Sequence, residues 1–334
     1  MYQENENQLK PPRIIQTIVE GFNLIATHPY LMLFPLLLDV FFWFGPFYRI
    51  KDLLSPTLEE MVQVISASMV DTDSVITLES IRSVWDELLS NFNLFSSLRT
   101  YPIGIPSLLA SKGYTSNPLG NPILFEVGSS SNALNIIFIC SFIGLLLGGL
   151  YYTLISHLVV NSDEQKTTSA FFKPIAQSFV LVLVLLLILV LLSFPVLCFL
   201  SSISVLLPTM GTIPLIILGV ILIWVLLPFV FSPHGIFTKQ LNAVKAISLS
   251  SKFVRISSMA TSFFLIIAVS LSYGMDLLWT TPEPDSWLFL LGLIGHAFVS
   301  SGILAASFIY YRDGIKWMDE IVKLKPPTQA SNGM

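Results

Sequence analysis

The stretch of sequence that decides the fold is residues 178–231, which reads SFVLVLVLLLILVLLSFPVLCFLSSISVLLPTMGTIPLIILGVILIWVLLPFVF. It contains no charged residue, and its apolar character is interrupted only around Pro208 and Gly211. A helix needs about 20 apolar residues to cross a hydrocarbon core about 30 Å thick. The stretch is long enough for two such helices, and it therefore predicts a polytopic membrane protein.

The composition of the whole chain agrees with this prediction. Of the 334 residues, 54% are hydrophobic and 11% are charged. A soluble domain of this length needs more polar surface than that. The net charge of -4, without a basic tail, gives no indication of nucleic-acid binding. Cys140 and Cys198 lie in apolar runs, where a thiol is usually a packing residue.

The apolar runs predict an all-α protein with six transmembrane (TM) helices arranged as three hairpins. Amphipathic patterns predict interfacial helices on the cytoplasmic side, and we expect the second of these to break at residues 248–251. The predicted division is a tail with an interfacial helix (1–29), TM1 (30–48), an extracytoplasmic helical segment (49–133), TM2 (134–160), a cytoplasmic loop (161–177), TM3 (178–207), TM4 (213–231), a basic interfacial helix (232–258), TM5 (260–279), TM6 (287–311) and a cytoplasmic tail (312–334).

The orientation follows from the positive charges. Under this division, most of the 17 Lys and Arg residues lie on the side of the two termini. Because positive charge marks the cytoplasmic side of a membrane protein, we expect both termini in the cytoplasm.

Two stretches carry a resemblance to known proteins. Residues 237–256, FTKQLNAVKAISLSSKFVRI, precede an apolar run, and residues 21–38 read GFNLIATHPYLMLFPLLL. Both stretches resemble uncharacterised prokaryotic six-span membrane-protein families, which include the membrane domain attached to some glycerophosphodiester phosphodiesterases. The resemblance implies a multi-pass protein of the cell (inner) membrane of a prokaryote. It implies no activity for the membrane part.

Two ionisable residues inside the predicted spans form the first candidate site. Asp39 lies near the middle of TM1, and His296 lies at a comparable depth in TM6. Ionisable side chains are costly in hydrocarbon and often mark ion or proton paths. The pair is predicted to form an ion pair or a proton-relay step; alternatively, Asp39 serves only to fix helix packing. We expect Asp276, near the outer end of TM5, to reach the water around the lipid headgroups.

Three further sets of residues are predicted to make contacts. An apolar stripe of the extracytoplasmic segment forms a candidate partner-docking face: Ile81, Trp85, Leu88 and Phe92. The basic interfacial helix is expected to contact anionic lipid through Lys239, Lys245, Lys252 and Arg255. A small-xxx-small pattern predicts helix packing, within one chain or between subunits, at Gly144 and Gly148.

Sequence motifs for catalysis are not found in this chain. There is no Gly-rich phosphate loop, no His-Glu-x-x-His and no Gly-x-Ser-x-Gly, and the His and Cys spacing fits no metal site. We therefore expect no enzyme, no cofactor and no metal; an intramembrane enzyme would rest only on the isolated polar residues.

Two functions fit the sequence. The first is a non-catalytic accessory, scaffold or assembly subunit of a membrane complex, in contact with lipids and with other membrane-protein subunits or further copies of itself. The alternative is a transporter or lipid-handling permease that uses Asp39 and His296.

Overall fold

The computed structural model describes residues 11–67, 72–160, 169–206 and 213–324. The tails predicted at 1–10 and 325–334, the loop at 161–168 and the turn at 207–212 lie outside the described residues. The chain divides into two compact units. The first unit is Met1–Thr27, Tyr152–Ser270 and Gly302–Met334, and the second unit is His28–Tyr151 and Leu271–Ser301.

The structure is almost entirely helical. In chain order the elements are α1 (Ile14–Thr27), α2 (Leu33–Phe44), β1 (Phe47–Arg49), α3 (Lys51–Ala67), α4 (Thr72–Asn91), β2 (Leu124–Glu126), α5 (Ser130–Val160), α6 (Ser169–Leu206), α7 (Ile213–Leu226), α8 (Ser232–Lys239), α9 (Ala243–Ile256), α10 (Ser258–Trp279) and α11 (Phe289–Leu324). Short 3-10 turns lie at Pro29–Met32, Leu94–Leu98 and Leu227–Phe229. The two strands pair in parallel, with Phe47 opposite Leu124.

Several helices are long and apolar enough to cross a membrane. Among the described residues, five stretches meet this description: Ser130–Val160, Phe172–Phe199, Ile216–Lys239, Ser258–Trp279 and Phe289–Ile321. The number becomes six if Ile14–Thr27 and Pro29–Phe44 together form one broken span. Large apolar side chains such as Leu183, Phe194 and Trp224 are exposed on α6 and α7. Surfaces of this kind require lipid as the solvent, so this is an all-α integral membrane protein.

The core of the first unit is aromatic. Phe231, Phe253, Phe264 and Tyr310 are fully buried together, and the rings of Phe264 and Tyr310 stack with centroids 4.4 Å apart. Such offset contacts add to the stabilisation that burial provides.

Helix α1 packs closely on α11 within this unit. A Cβ added to Gly21 would lie 2.5 Å from the carbonyl oxygen of Gly302 and 2.6 Å from the nitrogen of Ala306. The buried face of α1 consists of Thr17, Gly21 and Ile25. The small residue Gly21 lets the two backbones approach closely.

The basic interfacial helix predicted at 232–258 is two helices instead of one, and the break predicted at 248–251 lies inside α9. The actual break is at Gln240, whose backbone is left-handed with φ 50°. Asn242 then caps α9 by accepting a hydrogen bond from the backbone N–H of Lys245 at 3.0 Å. Residues 232–238 of α8 are buried, and Lys239 at its end is exposed.

Two helices extend beyond the predicted spans. Helix α6 begins at Ser169, before the predicted start of TM3, and contains Pro174 in its second turn. Helix α11 continues to Leu324, past the predicted end of TM6. Arg312 does not end the helix, since its guanidinium is held by Asp313 and by the carbonyl of Val159, 2.9 Å away.

In the second unit, the predicted extracytoplasmic segment contains a helical hairpin and a non-helical stretch. Helices α3 and α4 are linked by ion pairs between Lys51 and Asp86 at 3.0 Å and between Arg82 and Glu59 at 3.2 Å. The hairpin agrees with the helical content predicted for 49–133. The non-helical stretch, residues 98–109, is buried rather than exposed. Its buried apolar side chains are Ile103, Ile105, Leu108 and Leu109.

This buried stretch packs on the middle of α5. A Cβ added to Gly144 would lie 2.1 Å from the carbonyl oxygen of Leu98, and one added to Gly148 would lie 2.7 Å from the Cα of Gly104. The two glycines therefore contact the backbone of residues 98–109 instead of a second helix. This differs from the helix–helix contact predicted for them. Non-helical backbone at the level of a spanning helix is tolerated only where it is buried in protein or lines a water-filled cavity.

We predict that Gly144→Ala lowers the free energy of unfolding by about 1–3 kcal/mol, the usual cost of overpacking, because the new methyl group meets a backbone carbonyl. The measurement is unfolding in mixed detergent micelles. Gly274→Ala in α10 is the matched control, since nothing lies within 4 Å of a Cβ at that position. Equal stability of the two variants would contradict the close contact at Gly144.

Candidate functional site

The site is centred on Asp39, which lies in the middle of α2 and is 0% exposed. Its Oδ1 accepts a hydrogen bond from the hydroxyl of Ser107 at 2.6 Å and another from the backbone N–H of Leu109 at 3.0 Å. Ser107 Oγ in turn accepts from the backbone N–H of Ala110 at 3.0 Å. These bonds provide partners for polar groups of the buried non-helical stretch, which would otherwise be costly.

Apolar packing holds this stretch beside α2. Trp43, Leu108, Leu109, Phe289 and Leu293 form one buried cluster. The indole N–H of Trp43 donates to the carbonyl of Pro284 at 2.7 Å, and Asn117 Nδ2 donates to the carbonyl of Trp43 at 3.1 Å. These contacts hold the non-helical stretch against Asp39, which is 0% exposed.

The second oxygen of Asp39 faces His296 on α11. Asp39 Oδ2 and His296 Nε2 are 4.0 Å apart, and neither atom has a hydrogen-bond partner within the part of the chain that the structure describes. This separation is too long for a direct hydrogen bond. A single bridging water or a shift of about 1 Å would connect the two atoms.

The other ring nitrogen of His296 contacts a second carboxylate. His296 Nδ1 lies 2.7 Å from Asp276 Oδ1. The His296 side chain is 5% exposed, whereas that of Asp276 is 31% exposed. The three ionisable groups therefore form a series that runs from a partly exposed carboxylate through an imidazole to a buried carboxylate.

Close packing between α10 and α11 positions Asp276 beside His296. A Cβ added to Gly295 would lie 2.7 Å from the ring of Trp279, and one added to Gly292 would lie 2.2 Å from the carbonyl oxygen of Trp279. Trp279 follows Asp276 by three residues, and Gly295 precedes His296. The two glycines therefore allow the approach that brings carboxylate and imidazole together.

This arrangement can transfer a proton. An imidazole can take up a proton at one nitrogen and release the proton of the other nitrogen. A proton on Asp39 Oδ2 would pass to Nε2, and the proton on Nδ1 would pass to Asp276. The reverse sequence would return a proton to Asp39.

The structure thus brings Asp39 and His296 together, as their depth in the sequence suggested, and it adds residues that the sequence reasoning missed. Asp276 was expected at the headgroup water and instead contacts His296. No sequence pattern indicated that Ser107 and Leu109 belong to the site, because they lie in a Pro- and Gly-containing stretch with no helical period. The glycine pair before His296 was the one available indication of a close approach between α10 and α11.

The predicted docking face on α4 is exposed where it is described. Trp85 is 40% exposed and Leu88 is 52% exposed, and Phe92, just beyond the end of α4, is also exposed. The side chain of Ile81 lies outside the described residues. Trp85 lines a cleft of about 430 Å³ between α3 and α4, together with Leu58 and Val62.

The four predicted lipid-contacting cations are all exposed. Lys239 ends α8 and lies 3.9 Å from Asp319. Lys245, Lys252 and Arg255 are on α9. Among the described residues, no group of three or more His, Cys, Asp or Glu side chains is placed to hold a metal ion.

Fold and site together define a class of protein: a multi-pass membrane protein with three neighbouring ionisable side chains on its helices. No protein-family model matches the chain, and no curated protein or solved structure matches it significantly. Its function must therefore be argued from the contacts above.

We predict that Ser107→Ala destabilises the protein by about 1–3 kcal/mol, because a hydrogen bond to a buried carboxylate is lost. Unfolding in mixed micelles is again the measurement. Ser300→Ala is the matched control, since the Ser300 hydroxyl makes only a long 3.5 Å bond to the Ala297 carbonyl of its own helix. A loss at Ser107 no greater than at Ser300 would show that Asp39 does not anchor this stretch.

Proposed function

We propose that this protein is a non-enzymatic membrane transporter whose cycle includes transfer of a proton between Asp276 and Asp39 through His296. The observation that carries the proposal is the facing pair of unpartnered atoms, Asp39 Oδ2 and His296 Nε2, 4.0 Å apart. Of the two functions that fit the sequence, this contact favours the transporter. Intramembrane carboxylates and histidines in series are typical of proton paths.

A purely structural role explains the site less completely. Anchoring the non-helical stretch uses only Oδ1 of Asp39. Anchoring alone does not explain why Oδ2 faces His296, or why His296 contacts Asp276. The decrease in side-chain exposure from 31% at Asp276 to 0% at Asp39 suits a path that connects an aqueous surface with a buried acceptor.

We further propose that the spans form three hairpins in the inner membrane of a prokaryote, with both termini in the cytoplasm. The distribution of Lys and Arg supports this orientation. In this arrangement α1 and α9 lie at the cytoplasmic interface, the α3–α4 hairpin lies outside, and residues 98–109 re-enter the membrane region. Asp276, three residues before the end of α10, would then receive protons from the outer side.

The test of proton transfer uses purified protein in liposomes that contain a pH-sensitive dye. A potassium gradient with valinomycin supplies the driving potential, with and without added amino acids, sugars and inorganic ions. We expect wild-type protein to move protons and Asp39→Asn to be as slow as protein-free liposomes, because an amide does not exchange a proton with the imidazole. His296→Gln should have the same effect.

Asp285→Asn is the matched control, since Asp285 is exposed in the link between α10 and α11. It should leave the rate unchanged. Unchanged size-exclusion profiles would establish that the variants fold. The proposal fails if wild-type protein moves protons no faster than protein-free liposomes under every condition, or if Asp39→Asn is as fast as wild type.

A second candidate function, an accessory subunit of a membrane complex, rests on the exposed apolar face of α4. Trp85 and Leu88 are large apolar side chains on a helix that also carries Arg82 and Asp86. Aromatic residues on such faces are frequent anchors of protein interfaces. The partner in this case would present an apolar surface outside the membrane.

We predict that Leu88→Asp releases any stoichiometric protein that co-purifies with the wild type in mild detergent, because a charge in an apolar interface is left unpaired. Mass spectrometry of the purified protein measures the stoichiometry. Leu119→Asp is the matched control, since Leu119 is also exposed in the second unit and is not part of α4. Partner retention in Leu88→Asp, or equal loss in both variants, would rule out this face.

A further inference from the structure

A cavity of about 440 Å³ lies along one face of α9 in the first unit. The residues that line it include Phe229, Ser248, Ser251, Lys252, Arg255 and Ile256. The α9 positions recur every three or four residues, so their side chains share one face of the helix. Two positive charges, two hydroxyl groups and three apolar side chains, of which Ile247 is the third, thus line one cavity.

The two cations of this cavity are available to an external anion. Neither Lys252 nor Arg255 has an ion-pair partner in the described ranges of the chain, whereas Lys239 lies 3.9 Å from Asp319. The α9 sequence contains no acidic residue. An anionic group would therefore meet uncompensated positive charge at this cavity.

The cavity lies where charged side chains give way to apolar ones. After Arg255, the exposed large apolar side chains include Ile256, Met259, Phe263 and Ile266, at the end of α9 and in the first turns of the spanning helix α10. Exposed apolar side chains on a spanning helix face lipid chains. In the topology proposed above, the cations at the start of this apolar surface lie at the level of the lipid phosphates.

We propose that this cavity binds the phosphate of an anionic phospholipid. The guanidinium of Arg255 can donate two hydrogen bonds to the phosphate oxygens, and Lys252 supplies a second positive charge. The hydroxyl groups of Ser248 and Ser251 can donate to the remaining oxygens or to the lipid glycerol. Phe229 and Ile256 provide the apolar contact for the start of the acyl chains. The site is independent of proton transfer at Asp39.

The test measures binding of short-chain phosphatidylglycerol and phosphatidylcholine to the purified full-length protein in detergent, for example by thermophoresis. Wild-type protein should prefer phosphatidylglycerol, since the choline ammonium is repelled by the two cations. The double variant Lys252→Gln/Arg255→Gln should bind phosphatidylglycerol roughly 25-fold more weakly, because each cation near an anionic lipid changes the affinity about fivefold. Its binding of phosphatidylcholine should change far less, because the attraction to the phosphate and the repulsion of the choline ammonium are lost together.

Lys239→Gln/Lys245→Gln is the matched control. It removes the same charge from exposed positions outside the cavity, and it should weaken phosphatidylglycerol binding only slightly. Equal weakening by the two double variants would indicate diffuse attraction to the whole basic surface and would overturn the proposal. So would a wild-type protein without preference for phosphatidylglycerol, or displacement of the lipid by inorganic phosphate, which would make the ligand a soluble anion.

Discussion

The second unit depends on one interaction: the Asp39 carboxylate accepts hydrogen bonds from Ser107 and from the backbone of Leu109. A non-helical backbone buried among apolar helices must have partners for its polar groups, since lipid offers none. Asp39 provides such partners from the middle of α2. On the other side, Gly144 admits the Leu98 carbonyl to the surface of α5. Two features thus hold residues 98–109 in place: the buried carboxylate of Asp39, and the absence of a side chain at Gly144 on α5. Neither is sufficient alone.

The two oxygens of Asp39 have different surroundings, and this difference separates anchoring from chemistry. Oδ1 makes both hydrogen bonds to the non-helical stretch, while Oδ2 faces Nε2 of His296. If anchoring were the only requirement, asparagine would meet it, because its amide oxygen can accept the same two bonds. Its NH₂ group could also donate toward His296. An acid at this position is costly in apolar surroundings, and proton exchange with His296 gives a reason for it.

The sequence predicted the features that depend on local composition and failed where distant residues meet. Uncharged runs such as 178–231 identified the spanning helices. Asp39 and His296 were expected to interact because they lie at comparable depths in their predicted spans. The contact between Asp276 and His296 depends on how closely Trp279 approaches Gly292 and Gly295, which no local pattern measures. The stretch around Ser107 has no period because it is not helical. The break at Gln240 was missed because tertiary contacts bury α8, although Asn242 is a recognisable N-cap.

If Asp39, His296 and Asp276 transfer protons as proposed, the 4.0 Å gap between Oδ2 and Nε2 favours a coupled rather than a freely conducting path. A relay with every hydrogen bond formed would carry protons continuously and dissipate the gradient. Here one contact, between His296 and Asp276, is made at 2.7 Å, and the other is not made. The Trp279 ring lies directly against Gly295 and so restricts the helix that carries His296. Closure of the gap therefore requires a displacement of about 1 Å in α2 or in the stretch bonded to Asp39, or a bridging water. A substrate that changed the packing of either element would thereby control proton transfer.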